Sequence, residues 1–267
     1  MGFAKYATVY ALNLEQEMER RASLLMERVR SLCVVLSLYF LWSSLLSDPS
    51  KSFLGYSRSQ MLTYVLGLAI LRALVLTNRS FELTWEIARG RLSSLLLRPV
   101  HVFGYQLALD LSDKTIRVLA ALAEVMVLVW IFDAKLYWPA QFSTFVLAGA
   151  AVVLAVFLYY WIGLALASSG FWSAESIGFL WAASLFMEFC SGAFFPLDVL
   201  PDVLQKTLRL LPFPYLVFFP LNIYLERLEP ARIAEGLVLL AAWIAVFIVM
   251  VRLLWSRGLA EYQAEGG

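Results

Sequence analysis

The stretch FSTFVLAGAAVVLAVFLYYWIGLALA, residues 142–167, contains no charged side chain. A helix needs about 20 mostly apolar residues to cross the roughly 30 Å hydrocarbon core of a bilayer, so this stretch is predicted to span a membrane. The whole chain fits the same environment. Of its 267 residues, 61% are hydrophobic and 15% are charged, whereas about a quarter of the residues in soluble domains are charged.

Five further apolar stretches are long enough to cross a bilayer. The six predicted spans are Val29–Ser47, Gln60–Thr77, Thr115–Phe132, Phe142–Ala167, Ser176–Phe195 and Ile233–Trp255. An even number of spans places both chain ends on one side, and that side carries thirteen Lys and Arg residues against seven on the other. Positively charged loops stay in the cytoplasm, so both ends are predicted to be cytoplasmic. The predicted fold is an all-α integral membrane protein with six transmembrane helices.

Residues 1–28 are predicted to form a cytoplasmic tail with a helix lying in the membrane interface. Its apolar stripe consists of Leu14, Met18, Ala22, Leu25 and Val29, and a broad charged face covers the rest of the helix. The alternative is a cytoplasmic extension of the first span. Residues 29–267 are predicted to form one six-span transmembrane domain without a soluble domain.

The connector between the second and third predicted spans carries the charged segment ELTWEIARGRLSSLLLRP, residues 82–99. Helical spacing predicts an apolar face of Trp85, Ala88, Leu92, Leu95 and Leu96, and an opposite face of Glu82, Glu86, Arg89 and Ser93. Pro99 should end the helix. We expect one amphipathic helix over about residues 80–99, lying on the cytoplasmic membrane surface where a soluble partner can bind it.

The region between the fifth and sixth predicted spans is apolar but interrupted by prolines. Six of the nine prolines lie there: Pro196, Pro201, Pro212, Pro214, Pro220 and Pro230. The intervening pieces, such as 203–211 and 215–225, reach only about 13 to 17 Å as helices. We expect two short re-entrant or interfacial helices over about 196–230 that close the outer side, with a gate formed by Phe194, Phe195, Pro196, Pro212 and Pro214. The alternative is an apolar loop on the lipid headgroups.

Residue types with catalytic chemistry are sparse. The single histidine, His101, follows the Pro99 stop and is predicted to lie at the membrane interface. Asp110 and Asp113 could bind a metal or a diphosphate, but no second acidic cluster faces them, so a solvated helix face is expected. No Gly-Lys dipeptide occurs, which excludes a Walker-type phosphate loop. No metal, cofactor or catalytic residue is predicted, and the net charge of +1 gives no indication of nucleic-acid binding.

Three ionisable residues lie inside predicted spans: Arg72, Glu124 and Glu188. Each costs about 2.5–3.5 kcal/mol near the centre of a span, so each should face protein or water. Arg72 and Glu124 are predicted to form an ion pair, because they lie on successive spans. Glu188, together with Phe186 and Phe189, is predicted to line a cavity for a lipophilic or cationic cargo. The alternatives for Glu188 are a neutral carboxyl group or a pair across a subunit interface.

Three motifs in this order resemble those of the ABC type-2 exporter permeases, in the bacterial branch formerly of unknown function. They are WEIARGRLSSLLLRP (85–99), SGAFFPLDVLP (191–201) leading into LPFPY (211–215), and WSRGLAEY (255–262) with the closing Gly266 and Gly267. The resemblance implies six spans, a connecting helix before the first span, a coupling helix between the second and third, and short outer helices between the fifth and sixth. It places the ATPase-coupling site at Glu82, Trp85, Glu86, Arg89, Gly90, Arg91 and Arg98.

The resemblance also implies a complex in the bacterial inner membrane. Its expected components are two ATP-binding-cassette ATPase subunits, which hold ATP and Mg, and a second permease subunit, related or identical. The complex would export an amphipathic or lipophilic substrate by alternating access, in contact with membrane lipid. Two alternatives are an integral-membrane enzyme acting on lipids or prenyl chains, with Asp110 and Asp113 as its only candidate site, and a passive channel or anchoring subunit.

Overall fold

The computed structural model describes residues 2–46, 52–173 and 175–262. This part of the chain forms α-helices and short 3-10 helices and contains no strand. The α-helices are α1 (Gly2–Glu19), α2 (Arg21–Leu45), α3 (Arg58–Leu74), α4 (Ser80–Ala88), α5 (Leu92–Leu96), α6 (Val102–Phe132), α7 (Phe142–Ala167), α8 (Ile177–Ser191), α9 (Asp202–Arg209), α10 (Phe218–Tyr224) and α11 (Pro230–Glu261). Ser47, at the end of the first predicted span, and the closing Gly266 and Gly267 lie outside the described residues.

Six helices overlap the six predicted spans: α2, α3, α6, α7, α8 and α11. Within the described ranges, three are long and apolar enough to cross a membrane, namely α6, α7 with its following 3-10 turn, and α11. The apolar helix α8 has only 15 residues, which extend over about 22 Å. The all-α membrane fold is therefore confirmed, and the count of six spans stays a prediction.

Local sequence explains where several of these helices begin and end. Ser57 and Gln60 form a reciprocal capping box at the start of α3. Pro230 occupies the first turn of α11, where no backbone N–H is required. At the other end of a helix, Gly192 follows α8 with φ +84°, a left-handed conformation that favours glycine.

The helix bundle has two distinct ends, which position all the candidate sites. The end that carries α4 and α5, called here the connector end, also holds the start of α6, the end of α7 and the end of α11, since Tyr160 donates a hydrogen bond to the carbonyl of Phe103. The opposite end, called here the loop end, holds residues 133–141 and 192–229. Glu226 accepts hydrogen bonds there from Tyr137 and Thr144.

The N-terminal residues form a helix that packs along the first half of α6. Tyr10 shares a hydrogen bond with Thr115, and Asn13 donates one to Asp113. A break at Arg20 separates α1 from α2, so the predicted apolar stripe is divided between two helices. Met18 and Leu25 remain exposed. Residues 21–28 belong to α2, which continues directly into the first predicted span. This part of the chain thus follows the alternative prediction, an extension of that span.

Candidate functional site

The connector contains two helices and not the single helix predicted over residues 80–99. α4 ends at Ala88 and α5 begins at Leu92. Gly90, between them, has φ +71°, a left-handed conformation that costs glycine little. The expectation of one helix was wrong because that turn interrupts the helical spacing on which it depended.

The turn also changes which residues face the protein. The buried apolar residues are Leu83, Ile87, Leu92 and Leu95, which pack against α7 and α11 through Tyr160, Leu164, Ala167, Val251 and Trp255. Two members of the predicted apolar face, Trp85 and Leu96, are instead each 43% exposed. Side chains on α4 and α5 therefore follow two separate helical registers.

The outer side of the connector combines exposed charges with exposed apolar side chains. We call it the connector surface; it consists of Glu82, Trp85, Arg89, Arg91, Leu96, Leu97 and Arg98. The Arg89 guanidinium carbon lies 3.9 Å from the centre of a Trp85 ring, and Leu97 is 88% exposed. Of the other predicted coupling residues, Gly90 is buried at the turn and Glu86 is half-buried. Burial raises the pKa of the Glu86 carboxyl group above its ordinary value.

The connector is held closely against three other parts of the chain. A Cβ atom added to Gly170, in the 3-10 turn after α7, would lie 2.7 Å from the carbonyl oxygen of Thr84. The backbone N–H of Ser93 donates to the hydroxyl of Tyr262, 3.2 Å away. Lys5 on α1 donates to the carbonyl of Pro99 at 3.1 Å. The connector is thus in direct contact with α1, with the turn after α7 and with Tyr262 at the end of α11.

Asp110 and Asp113 do not lie on a solvated helix face, as the sequence led us to expect. Both are buried, as is Lys114. Asp110 pairs with Lys114 at 3.1 Å, and Asp113 pairs with Arg79 at 2.9 Å and accepts a hydrogen bond from Asn13 at 2.6 Å. The face is covered because α1 packs on α6 and the start of α4 brings Arg79 to it. Each carboxylate is thus used in an ion pair.

The predicted ion pair between Arg72 and Glu124 is not formed. Arg72 on α3 instead lies 3.4 Å from Glu188 on α8 and donates to the carbonyl of Ala193 at 3.0 Å. Glu124 turns toward α2, where it accepts a hydrogen bond from Ser31 at 3.1 Å and lies 3.6 Å from Arg28. The physical reason is packing: α3 presents Arg72 to α8, whereas this face of α6 meets α2.

The predicted cavity and gate residues are neighbours at the end of α8. Phe186 and Phe189 are exposed; Phe186 packs edge-on against Phe213, and Phe189 against Phe195. The Phe194 ring centre lies 5.1 Å from the Arg72 guanidinium carbon. Pro196, Pro212 and Pro214 are buried.

Two short helices do occur within residues 196–230, but they differ in their surroundings. The residues of α10 are largely buried against α7, and α9 has no buried residue. The membrane depth of both helices stays a prediction.

A family model described as ABC-2 family transporter protein matches residues 32–266. The chain belongs to the ABC-2 transporter family. The match confirms the resemblance found in the sequence, and it covers the connector, the Arg72–Glu188 pair and both short helices. No curated protein matches the chain. Membrane proteins of the ABC-2 family are transport components that work with ATP-binding subunits.

Proposed function

We propose that this ABC-2 protein is the permease subunit of an ATP-driven exporter and that a separate ATPase subunit binds its connector surface. The observation that carries the proposal is the two-sided connector. Its inner side is packed against α7 and α11, while its outer side exposes Trp85, Leu97 and several arginines. Exposed Trp and Arg side chains are the types that contribute most to protein interfaces.

The proposed orientation places the connector end in the cytoplasm of a bacterial cell, at the inner membrane. Two features support it. The excess of Lys and Arg residues lies in the segments of the connector end, and Lys5 and Tyr262, near the two ends of the chain, both contact the connector.

In the proposed mechanism, two ATPase subunits hold ATP and Mg and close upon binding them. Closure moves the docked connectors of two permease subunits, which are related or identical chains. Because ATP binds the closed arrangement more tightly, it supplies the free energy that shifts the permease between inward-facing and outward-facing states. The close contact between Gly170 and Thr84 supports transfer of that movement to α7.

For the cargo we propose an amphipathic or lipophilic molecule that contacts Phe186, Glu188 and Phe189. Trp181 and Leu185 extend this exposed apolar face along α8, which suits a wall shared with a second permease subunit. Glu188 already pairs with Arg72, so its charge is largely compensated. This pairing favours an uncharged or zwitterionic group beside Glu188 over a cation.

The experiment uses the tagged full-length protein purified from native membranes. Arg91→Glu and Leu97→Glu should each reduce the co-purified ATP-binding-cassette ATPase by about tenfold, which is the effect of losing about 1.4 kcal/mol at an interface. ATP-driven export should fall in parallel, with membrane insertion unchanged. Lys135→Glu is the matched control, because Lys135 is exposed at the loop end. Co-purification that equals the control in both connector variants would contradict the proposal.

A further inference from the structure

A cavity of about 200 Å³ lies at the loop end, between α9, α10 and the first turns of α11. No residue of the cargo face on α8 or of the connector surface lines it. One side of α9 contributes Gln205, Leu208 and Arg209, which share a helix face by their spacing. Phe219 of α10 and Leu239 of α11 form an apolar wall. The cavity therefore has an apolar interior with a charged rim.

Helix α9, which covers one side of this cavity, is held in place by hydrogen bonds and not by buried apolar side chains. The Gln205 side-chain amide donates to the carbonyls of Asp198 and Leu200, at 3.2 and 2.8 Å. Tyr215 donates to the carbonyl of Arg209 at 2.7 Å, and the Trp243 indole donates to that of Leu210 at 3.2 Å. Since α9 has no buried residue, these bonds hold it over a space that it does not fill.

The charged side chains that line the cavity are three arginines and two carboxylates. Arg227 lies 3.8 Å from Asp198, and Arg232 lies 3.5 Å from Glu235. Arg209 also lines the cavity, and its side chain makes no ion pair with any residue in the described ranges. The site is thus suited to a negatively charged group.

The cavity lies at the level where the long apolar helices end. Glu226 accepts hydrogen bonds from the backbone of Ala140 and from Thr144, both at 3.1 Å. These residues lie beside the end of α6 and the start of α7, and α11 begins four residues after Glu226. Three helices able to cross a membrane therefore terminate near Glu226, which directly precedes the cavity residue Arg227, and this is the level where the headgroups of a bilayer would lie.

We propose that this cavity binds a membrane phospholipid whose headgroup carries a net negative charge. Arg209 binds the phosphate, and an acyl chain lies against Phe219 and Leu239. This site is separate from the cargo face on α8. Its occupancy requires neither ATP nor an ATPase subunit.

The test uses the full-length protein in nanodiscs of phosphatidylcholine that contain a trace of photoactivatable phosphatidylglycerol. Crosslinks mapped by mass spectrometry should fall within residues 197–239. Arg209→Ala should reduce labelling about tenfold, the effect of losing a charge-assisted hydrogen bond. Lys206→Ala is the matched control; Lys206 carries the same charge on the same helix but does not line the cavity. It should label within about twofold of the unsubstituted protein.

A second pair of variants tests the apolar wall. Leu239→Trp places a larger side chain in the cavity and should reduce labelling, whereas Val238→Trp on the exposed side of α11 should not. A photoactivatable phosphatidylcholine probe should label these residues several-fold less than the phosphatidylglycerol probe. Because the acyl chain contributes to binding, millimolar inorganic phosphate should not reduce labelling by the phosphatidylglycerol probe.

Equal labelling by the two lipid probes overturns the proposal. So does labelling that neither Arg209→Ala nor Leu239→Trp reduces. Competition by inorganic phosphate alone would overturn the lipid assignment in favour of a free anion. Because no ATPase is present, these results are independent of the transport proposal.

Discussion

Replacing Gly170 by alanine tests whether the connector is rigidly attached to α7. The added Cβ atom would lie 2.7 Å from the Thr84 carbonyl oxygen, 3.2 Å from Ile87 Cβ and 3.3 Å from Thr84 Cα. Ordinary contacts of a Cβ atom begin at 3.4 Å, so α4 must move by about 0.7 Å. Two of the three atoms belong to the Thr84 backbone, which leaves no side-chain rotation that could relieve the clash.

Overpacking of this kind costs about 1–3 kcal/mol, which corresponds to a fall of roughly 2–5 °C in the melting temperature of a chain of this size. The melting temperature can be measured on the detergent-solubilised protein. In the reconstituted complex, we also expect the number of substrate molecules exported per ATP to fall, because α4 no longer fits against the turn after α7.

Gly149→Ala and Gly178→Ala are matched controls, since no atom lies within 4 Å of a Cβ added at either position. Both glycines are in helices, where alanine is favoured by up to about 1 kcal/mol. These controls should therefore be as stable as the unsubstituted protein or more so. If Gly170→Ala melts and transports like the two controls, the connector is not held as we argue, and the coupling mechanism loses its structural basis.

Three further predictions follow from the charged side chains. Arg79→Ala leaves the buried Asp113 carboxylate without its cation, so we expect a loss of about 3 kcal/mol, seen as a lower melting temperature; Arg79→Met with Asp113→Leu should recover most of it. Arg72→Gln leaves Glu188 uncompensated and should abolish export, and adding Glu188→Gln should restore part of the transport rate. The Tyr137 hydrogen bond lowers the pKa of Glu226 below 4.5. The resulting stabilisation is present above pH 4.5 and is lost as the pH falls through the lowered pKa. Tyr137→Phe should return this pKa toward 4.5, so the variant should lose less stability than the unsubstituted protein as the pH falls below 4.5, as measured by melting curves recorded against pH.

Continuous apolar runs predicted the helices well. The span predicted as Phe142–Ala167 has the same bounds as α7. The span predicted as Thr115–Phe132 ends with α6, but the helix begins at Val102. Hydropathy identifies the part of a helix that is apolar enough to lie in the hydrocarbon core of a bilayer. It gives no information on the polar turns by which that helix continues outside the apolar run.

Polar contacts between helices could not be predicted in the same way. Whether Asp113 is solvated depends on α1, which packs on α6 from about 100 residues away in sequence. Arg72 and Glu188 are similarly distant, and hydropathy does not indicate which face of α3 meets α8. The left-handed turn at Gly90 could not be predicted from the sequence either, because the residues around it keep a helical pattern of apolar and charged side chains.

The long helix α11 connects the two ends of the molecule that the proposed mechanism must couple. At the connector end, Val251 and Trp255 pack with the buried residues of α4 and α5, and Gly258 closely faces Phe171. At the loop end, Trp243 holds the end of α9, and Gly236 lies so close to Phe219 that an added Cβ would be 2.3 Å from its ring. A continuous α-helix is stiff along its axis, because its backbone hydrogen bonds are formed within the helix. Movement of the connector should therefore reach the loop end through displacement of α11, without any change within the helix itself.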